Sequence, residues 1–138
     1  MYFMNQFSEQ KDALPAEVCI KVTVSLEDVD SIMCSALESG IGYWCSKASV
    51  VGEFFGDEAS QQIGRGGSLI IYDAESGEKL VLTLEKFLKG IEMYLCSPMY
   101  QGSVVYENGG ARLNTYLLDA AVADMIVQYA IFSEVRYS

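Results

Sequence analysis

Histidine is absent from the 138 residues. That absence removes Ser-His-Asp and Cys-His nucleophilic arrangements, imidazole general bases and the ordinary zinc hydrolase sites. Basic residues are scarce too, nine Lys and Arg against 19 Asp and Glu. Affinity for DNA rests on lysine and arginine displacing counterions from phosphates, so direct binding to nucleic acid or to an anionic membrane is not expected. No apolar run approaches the ~18 residues of a membrane-spanning helix. The four cysteines, Cys19, Cys34, Cys45 and Cys96, form no C-x-x-C pair, and "MYFMNQF" has neither the basic nor the apolar segment of a secretion signal. A soluble protein of a reducing cytoplasm is expected, with buried free thiols.

What is present suits a folded domain. Half the residues are apolar, 51%, and a chain of this length buries roughly 68% of the surface its unfolded form exposes. The charge is uneven: residues 1–60 hold ten of the carboxylates and only Lys11, Lys21 and Lys47. The negative field should lean toward that half. Residues 1–17 are expected to be a loose lead-in and 18–138 a single α+β domain.

Periodicity gives the element order. "VCIKVTV", Val18 to Val24, alternates as a half-buried strand does. Ser25 opens a capping box with Asp28, and Leu26, Val29, Ile32, Met33, Ala36 and Leu37 fall at helical spacing up to Gly40. "YWCSKASVVGEFF" suits one or two short strands broken at Gly52. "SLIIYD" and "LVLTL" flank "AESGEK" as a hairpin. Thr83 caps a helix from Leu84 to about Leu95, with Leu84, Phe87, Leu88, Ile91 and Leu95 on one face. Residues 97–111 read as a loop or frayed hairpin, and Asp119 caps a last helix whose stripe is Val122, Met125, Ile126 and Tyr129. The expected fold is α+β: a small mixed or antiparallel sheet of about four to five strands against about three helices, in the order strand-helix-strand-hairpin-helix-helix.

Four segments invite a functional reading. In "QQIGRGGSLIIYD" the glycines precede a strand, whereas a phosphate loop leaves a strand and opens a helix. A structural turn is therefore the leading reading, with an anion site at Arg65, Gly66 and Gly67 as its rival. "EFFGDE" sets Phe54 and Phe55 among Glu53, Asp57 and Glu58, an aromatic centre with an acidic rim, one phenylalanine packed and the other free. This is the preferred contact surface. "GIGYWC" holds the only tryptophan: Trp44 is read as core, and an exposed Tyr43 or Trp44 anchoring a partner is the alternative. Glu27, Asp28 and Asp30, or Asp57 and Glu58, are the carboxylate groups a Mg²⁺ nuclease would need, yet acids in a first helical turn have their own reason to be there. No metal, cofactor or catalytic residue is assigned.

"GIGYWC", "RGGSLIIYDAESGEKLVLTLEKFLKGI" and "DAAVADMIVQYAIFSEV" together resemble a family of small proteins encoded by phages, prophages and integrative elements of Firmicutes, many of them gut clostridia. The likeness runs from about Val22 to Val135 and brings no catalytic motif. It implies an accessory protein of a mobile element. By analogy it implies an anti-defence role such as that of anti-CRISPR proteins, which block a nucleic-acid channel with carboxylates. The expected function is a non-enzymatic acidic interaction protein whose partner is a host or defence protein. The alternative is a nucleotide sponge or sensor built on Arg65 with Tyr43 or Tyr72. The apolar content, and "IFSEVRY" read as an edge strand, leave room for a homodimer.

Overall fold

The computed structural model describes residues 12–138, an α+β arrangement of two three-stranded sheets and three α-helices. The lead-in expected at 1–17 lies outside the described residues up to Lys11.

Strand β1 (Val22–Thr23) is followed by helix α1 (Leu26–Ser35). Ser25 Oγ accepts from the Asp28 amide at 3.0 Å and Asp28 Oδ2 from the Ser25 amide at 2.9 Å, so the expected capping box is formed. The helix ends in a π-helical turn, Ala36–Gly40, where Gly40 is required. A Cβ there would stand 2.7 Å from the Ala120 carbonyl oxygen at the start of the last helix.

Strands β2 (Cys45–Val50), β3 (Leu69–Asp73) and β4 (Lys79–Leu82) form an antiparallel sheet in sequence order. On β3 the residues Leu69, Ile71 and Asp73 all point inward. The β3–β4 turn is built by Asp73 itself, whose Oδ1 accepts from the amides of Glu75 at 2.8 Å and Ser76 at 3.3 Å.

Helix α2 (Leu84–Leu95) begins at the Thr83 cap and packs on α3 (Ala120–Phe132). Gly90 lets the two backbones approach, since a Cβ there would lie 2.5 Å from the Ile126 carbonyl oxygen. Between these helices, β5 (Val104–Glu107) and β6 (Gly110–Leu113) close through Asn108 and Gly109, both at positive φ, the Asn-Gly turn that matches strand twist. Asp119 Oδ1 caps α3 by accepting from the Val122 amide at 2.9 Å. Helix α3 is the central element. Val122, Ala123, Asp124, Ile126, Val127 and Gln128 are all buried in a core shared with Val29, Ile32, Trp44, Leu69 and Phe87.

Four expectations are corrected. The strands belong to two sheets rather than one, because β1 pairs in parallel with β6 and not with the hairpin. Of Val18 to Val24 only Val22–Thr23 pairs; Val18 and Ile20 are exposed beside an apolar groove, which explains an alternation that needs no ladder. No cysteine is fully buried: Cys19 and Cys96 are exposed, and Cys34 and Cys45 are intermediate. "IFSEVRY" is not an edge strand. Ile131 and Phe132 finish α3, Ser133 takes a left-handed conformation (φ 61°), and the tail turns back over Trp44.

Candidate functional site

The glycine-rich turn has a structural explanation. Ile63–Arg65 form a single 3-10 turn, and Gly66 leaves it at φ 88°. At Gly67 a Cβ would overlap the side-chain amide of Gln62, and that amide is fully buried. A buried amide must find partners. Gln62 finds them in the acidic loop: its Oε1 accepts from the Phe55 amide at 2.8 Å, and its Nε2 donates to the Glu53 carbonyl at 3.0 Å. Gln61 does the same one step further on, with Oε1 accepting from the amides of Asp57 at 2.6 Å and Glu58 at 3.2 Å. Gly56 permits this wrap, since a Cβ there would stand 2.6 Å from Gln61 Cβ. Gly67 makes room for a clamp, and the clamp fixes "EFFGDE".

The clamped loop turns its side chains outward. Phe54 is 59% exposed and Phe55 54%, which corrects the expectation that one of them packs: the backbone of this loop, not a ring, is what the interior holds. Val51 is exposed beside them. Glu53, Asp57 and Glu58 surround the rings and are exposed as well. Among the described residues none of the three forms an ion pair. The Glu58 charge reaches α1. The Cys34 thiol pKa is raised first by its hydrogen bond to Glu38, at 3.2 Å, then by burial and by the charges of Glu38 and Glu58.

Arg65 is committed elsewhere. Its Nη1 donates to both carboxylate oxygens of Asp30 at 3.1 Å and to the Gln61 carbonyl at 2.9 Å. Ile63–Gly67 thus form the structural turn that was the leading reading, and Arg65, the centre of the rival anion site with Gly66 and Gly67, ties this turn to α1. Of the carboxylates weighed for Mg²⁺, Asp28 caps α1 and Asp30 pairs with Arg65, while Asp57 and Glu58 stand exposed in the loop. Among the described residues no group of three or more Cys, Asp or Glu is placed to hold a metal ion, and no helix is long and apolar enough to cross a membrane.

Tyr43 and Trp44 part company. Trp44 is 1% exposed, so its role as a surface anchor is excluded and its reading as core stands. Its Nε1 donates to Asp124 Oδ1 at 2.7 Å, and its ring stacks on Tyr137 with centroids 5.6 Å apart. Tyr43 is half exposed, and its hydroxyl donates to Asp124 Oδ2 at 2.6 Å. Partial burial, followed by this hydrogen bond and the Asp124 charge, pushes the Tyr43 pKa up to about 12.

Around Asp124 lies a network that the sequence reading missed. Gln128 Nε2 donates to Asp124 Oδ1 at 2.9 Å, and Gln128 Oε1 accepts from the amides of Arg136 and Tyr137, both at 2.7 Å. Tyr137 then donates through its hydroxyl to Asp73 Oδ2 at 2.7 Å. Burial acts to raise the Asp73 carboxyl, but the bonds from Tyr137, Glu75 and Ser76 outweigh it and its pKa lies below the usual value. One signal was available: Asp124 and Gln128 are the only strongly polar residues of "AAVADMIVQYAIF" and stand four apart, on one face of an otherwise apolar helix.

Compared with protein-family models, curated proteins and solved structures, the chain matches none. The functional reading therefore rests on geometry and charge.

Proposed function

We propose that this protein is a non-enzymatic interaction module that docks its acidic, aromatic loop, Val51 to Glu58, onto a basic protein surface carrying apolar pockets. The observation that carries this reading is the clamp. A fully buried Gln62 holds the backbone of Glu53 and Phe55 while Phe54 and Phe55 stand more than half exposed. Holding two large rings in water has no folding benefit, and a loop fixed beforehand loses little entropy on binding. The unpaired carboxylates around the rings supply steering toward positive charge, which acts mainly on the association rate. Aromatic anchors inside a charged rim are the usual anatomy of a binding hot spot. In the mobile-element setting that the sequence resembles, the partner would be a host defence protein whose basic groove normally takes nucleic acid.

The test is comparative. Wild type, Phe54→Ala/Phe55→Ala and Asp57→Lys/Glu58→Lys are each used to capture proteins from a clostridial lysate, and the partner retained by wild type is purified for kinetics. The aromatic variant should lose the partner. The charge-reversed variant should associate at least about tenfold more slowly at low salt. Retention of the same partner by all three with equal on-rates would refute the reading.

A further inference from the structure

Asp124 carries charge where charge is costly. It is 7% exposed, and among the described residues no lysine or arginine pairs with it. Its Oδ1 accepts two hydrogen bonds, from Trp44 and Gln128, but its Oδ2 accepts only the one from Tyr43. An ionised carboxylate offers about four acceptor positions, so Oδ2 retains capacity. Both Asp124 and Tyr43 line a groove of about 830 Å³ between the π-helical turn, the first turns of α3 and the returning tail.

The rest of that groove is of a different character. Ala121, Met125 and Val135 give it an apolar wall, and Tyr129 and Tyr137 add aromatic surface. Pockets of roughly 300–1,000 Å³, mostly apolar and with a few convergent polar groups, are the usual form of a small-molecule site. The sign of the polar group selects the ligand. An anion is repelled by Asp124, and a purely apolar body would strip more water from a charge that lacks a counterion. A cation supplies that counterion and is also attracted to aromatic ring faces.

We infer that this groove binds a small amphipathic organic cation, its ammonium group donating to Asp124 Oδ2 and its alkyl or aryl body lying along Met125 and Val135. The site is distinct from the acidic loop and opposite in sign to the anion site weighed as a rival reading at Arg65. It reports on itself, because Trp44, the only tryptophan, donates directly to the same carboxylate.

The experiment titrates the full chain with 2-phenylethylammonium chloride and, in parallel, with its neutral counterpart 2-phenylethanol, following Trp44 fluorescence. The ammonium should give a saturable change and bind at least about tenfold more tightly than the alcohol, the range expected for a charge-assisted hydrogen bond. Asp124→Asn should erase that preference. Ala121→Phe, at an exposed position on the groove wall, should block both ligands and leave the melting temperature of the free protein unchanged. Phe54→Ala/Phe55→Ala should bind the ammonium as wild type does, which separates this result from the fate of the loop. Equal affinity for ammonium and alcohol, no saturation with either, or a preference that survives Asp124→Asn would overturn the inference. If Asp124→Asn does not fold, wild-type ammonium affinity in Ala121→Phe overturns it instead.

Discussion

The loop from Val51 to Glu58 and the network around Asp124 are made of the same materials, aromatic rings and carboxylates, and treat them in opposite ways. In the loop the backbone is held from inside by Gln62 and at the surface by Gln61, and the rings and charges are left to water. Around Asp124 the charge is taken inside, and three side chains spend their donors on it. A carboxylate in water acts at a distance, over roughly a Debye length, and favours encounter. One that is enclosed acts only on what touches it, where each hydrogen bond counts for more and each missing one costs more. The two regions should therefore respond to mutation in different ways: the loop through binding, the network through stability.

Asp124→Ala should give the largest effect on folding. It leaves the Trp44, Tyr43 and Gln128 donors without their acceptor, and a loss of about 3 kcal/mol is expected in urea unfolding. A loss below about 1 kcal/mol would mean that the network is not the structural keystone described. Next comes the clamp. Gln62→Ala and Gly67→Val each remove the buried amide from its place, and about 2 kcal/mol should be lost. The same variants should show faster amide exchange at Phe55, whose N–H would no longer be held. Unaltered exchange at Phe55 would break the link between the glycine turn and the loop.

A titration sharpens the contrast. The Tyr43 phenol has its pKa raised to about 12, first by partial burial and then by Asp124. Because the folded value lies above the ordinary value of about 10, the stability it contributes is complete below that pH and is lost as pH rises toward 12. The difference in phenolate absorbance between wild type and Tyr43→Phe should centre near 12. Asp73 has the reverse sign: its folded value is lowered, so its contribution is present above the ordinary carboxyl range and disappears as the solution is acidified further. Asp73→Asn should flatten the acid limb of the stability profile. An unchanged limb would remove Asp73 from the account.

The smallest effects belong to exposed positions. Phe54→Ala/Phe55→Ala should change stability by no more than about 0.5 kcal/mol, the level of an ordinary surface substitution. Arg65→Ala loses a part-exposed ion pair with Asp30 and should cost about 0.2–1 kcal/mol. Phosphate or nucleotide should raise the melting temperature of neither wild type nor this variant. A ligand-induced rise that Arg65→Ala abolishes would restore the anion reading.

Where local chemistry decides an element, the sequence was legible. Ser25 with Asp28, Thr83 and Asp119 all cap helices where their spacing to the apolar stripes requires, and the β3–β4 hairpin follows from its two strand-like runs around "AESGEK". Long-range choices were not legible. The parallel pairing of Val22 with Ala111 has no local mark, and neither does the tail that returns to place Tyr137 on Trp44. Half of the candidate site could be read. Composition marked Glu53 to Glu58 as acidic and aromatic, but that Gln62 would be buried to hold the loop depends on Gly67 making room for it in three dimensions. Asp124 was harder to read: its pairing with Gln128 four residues on is the one local mark, while the partners Trp44, Tyr43 and the returning tail come from distant parts of the chain.

Docking by the acidic loop is tested most directly by the association rate with the purified partner as a function of salt, for wild type and for Asp57→Lys/Glu58→Lys. The wild-type rate should fall steeply with ionic strength, the variant should be slower by at least about tenfold at low salt, and the two should converge near 1 M salt, where the Debye length is about 3 Å. Equal rates at every salt concentration would contradict docking by this loop.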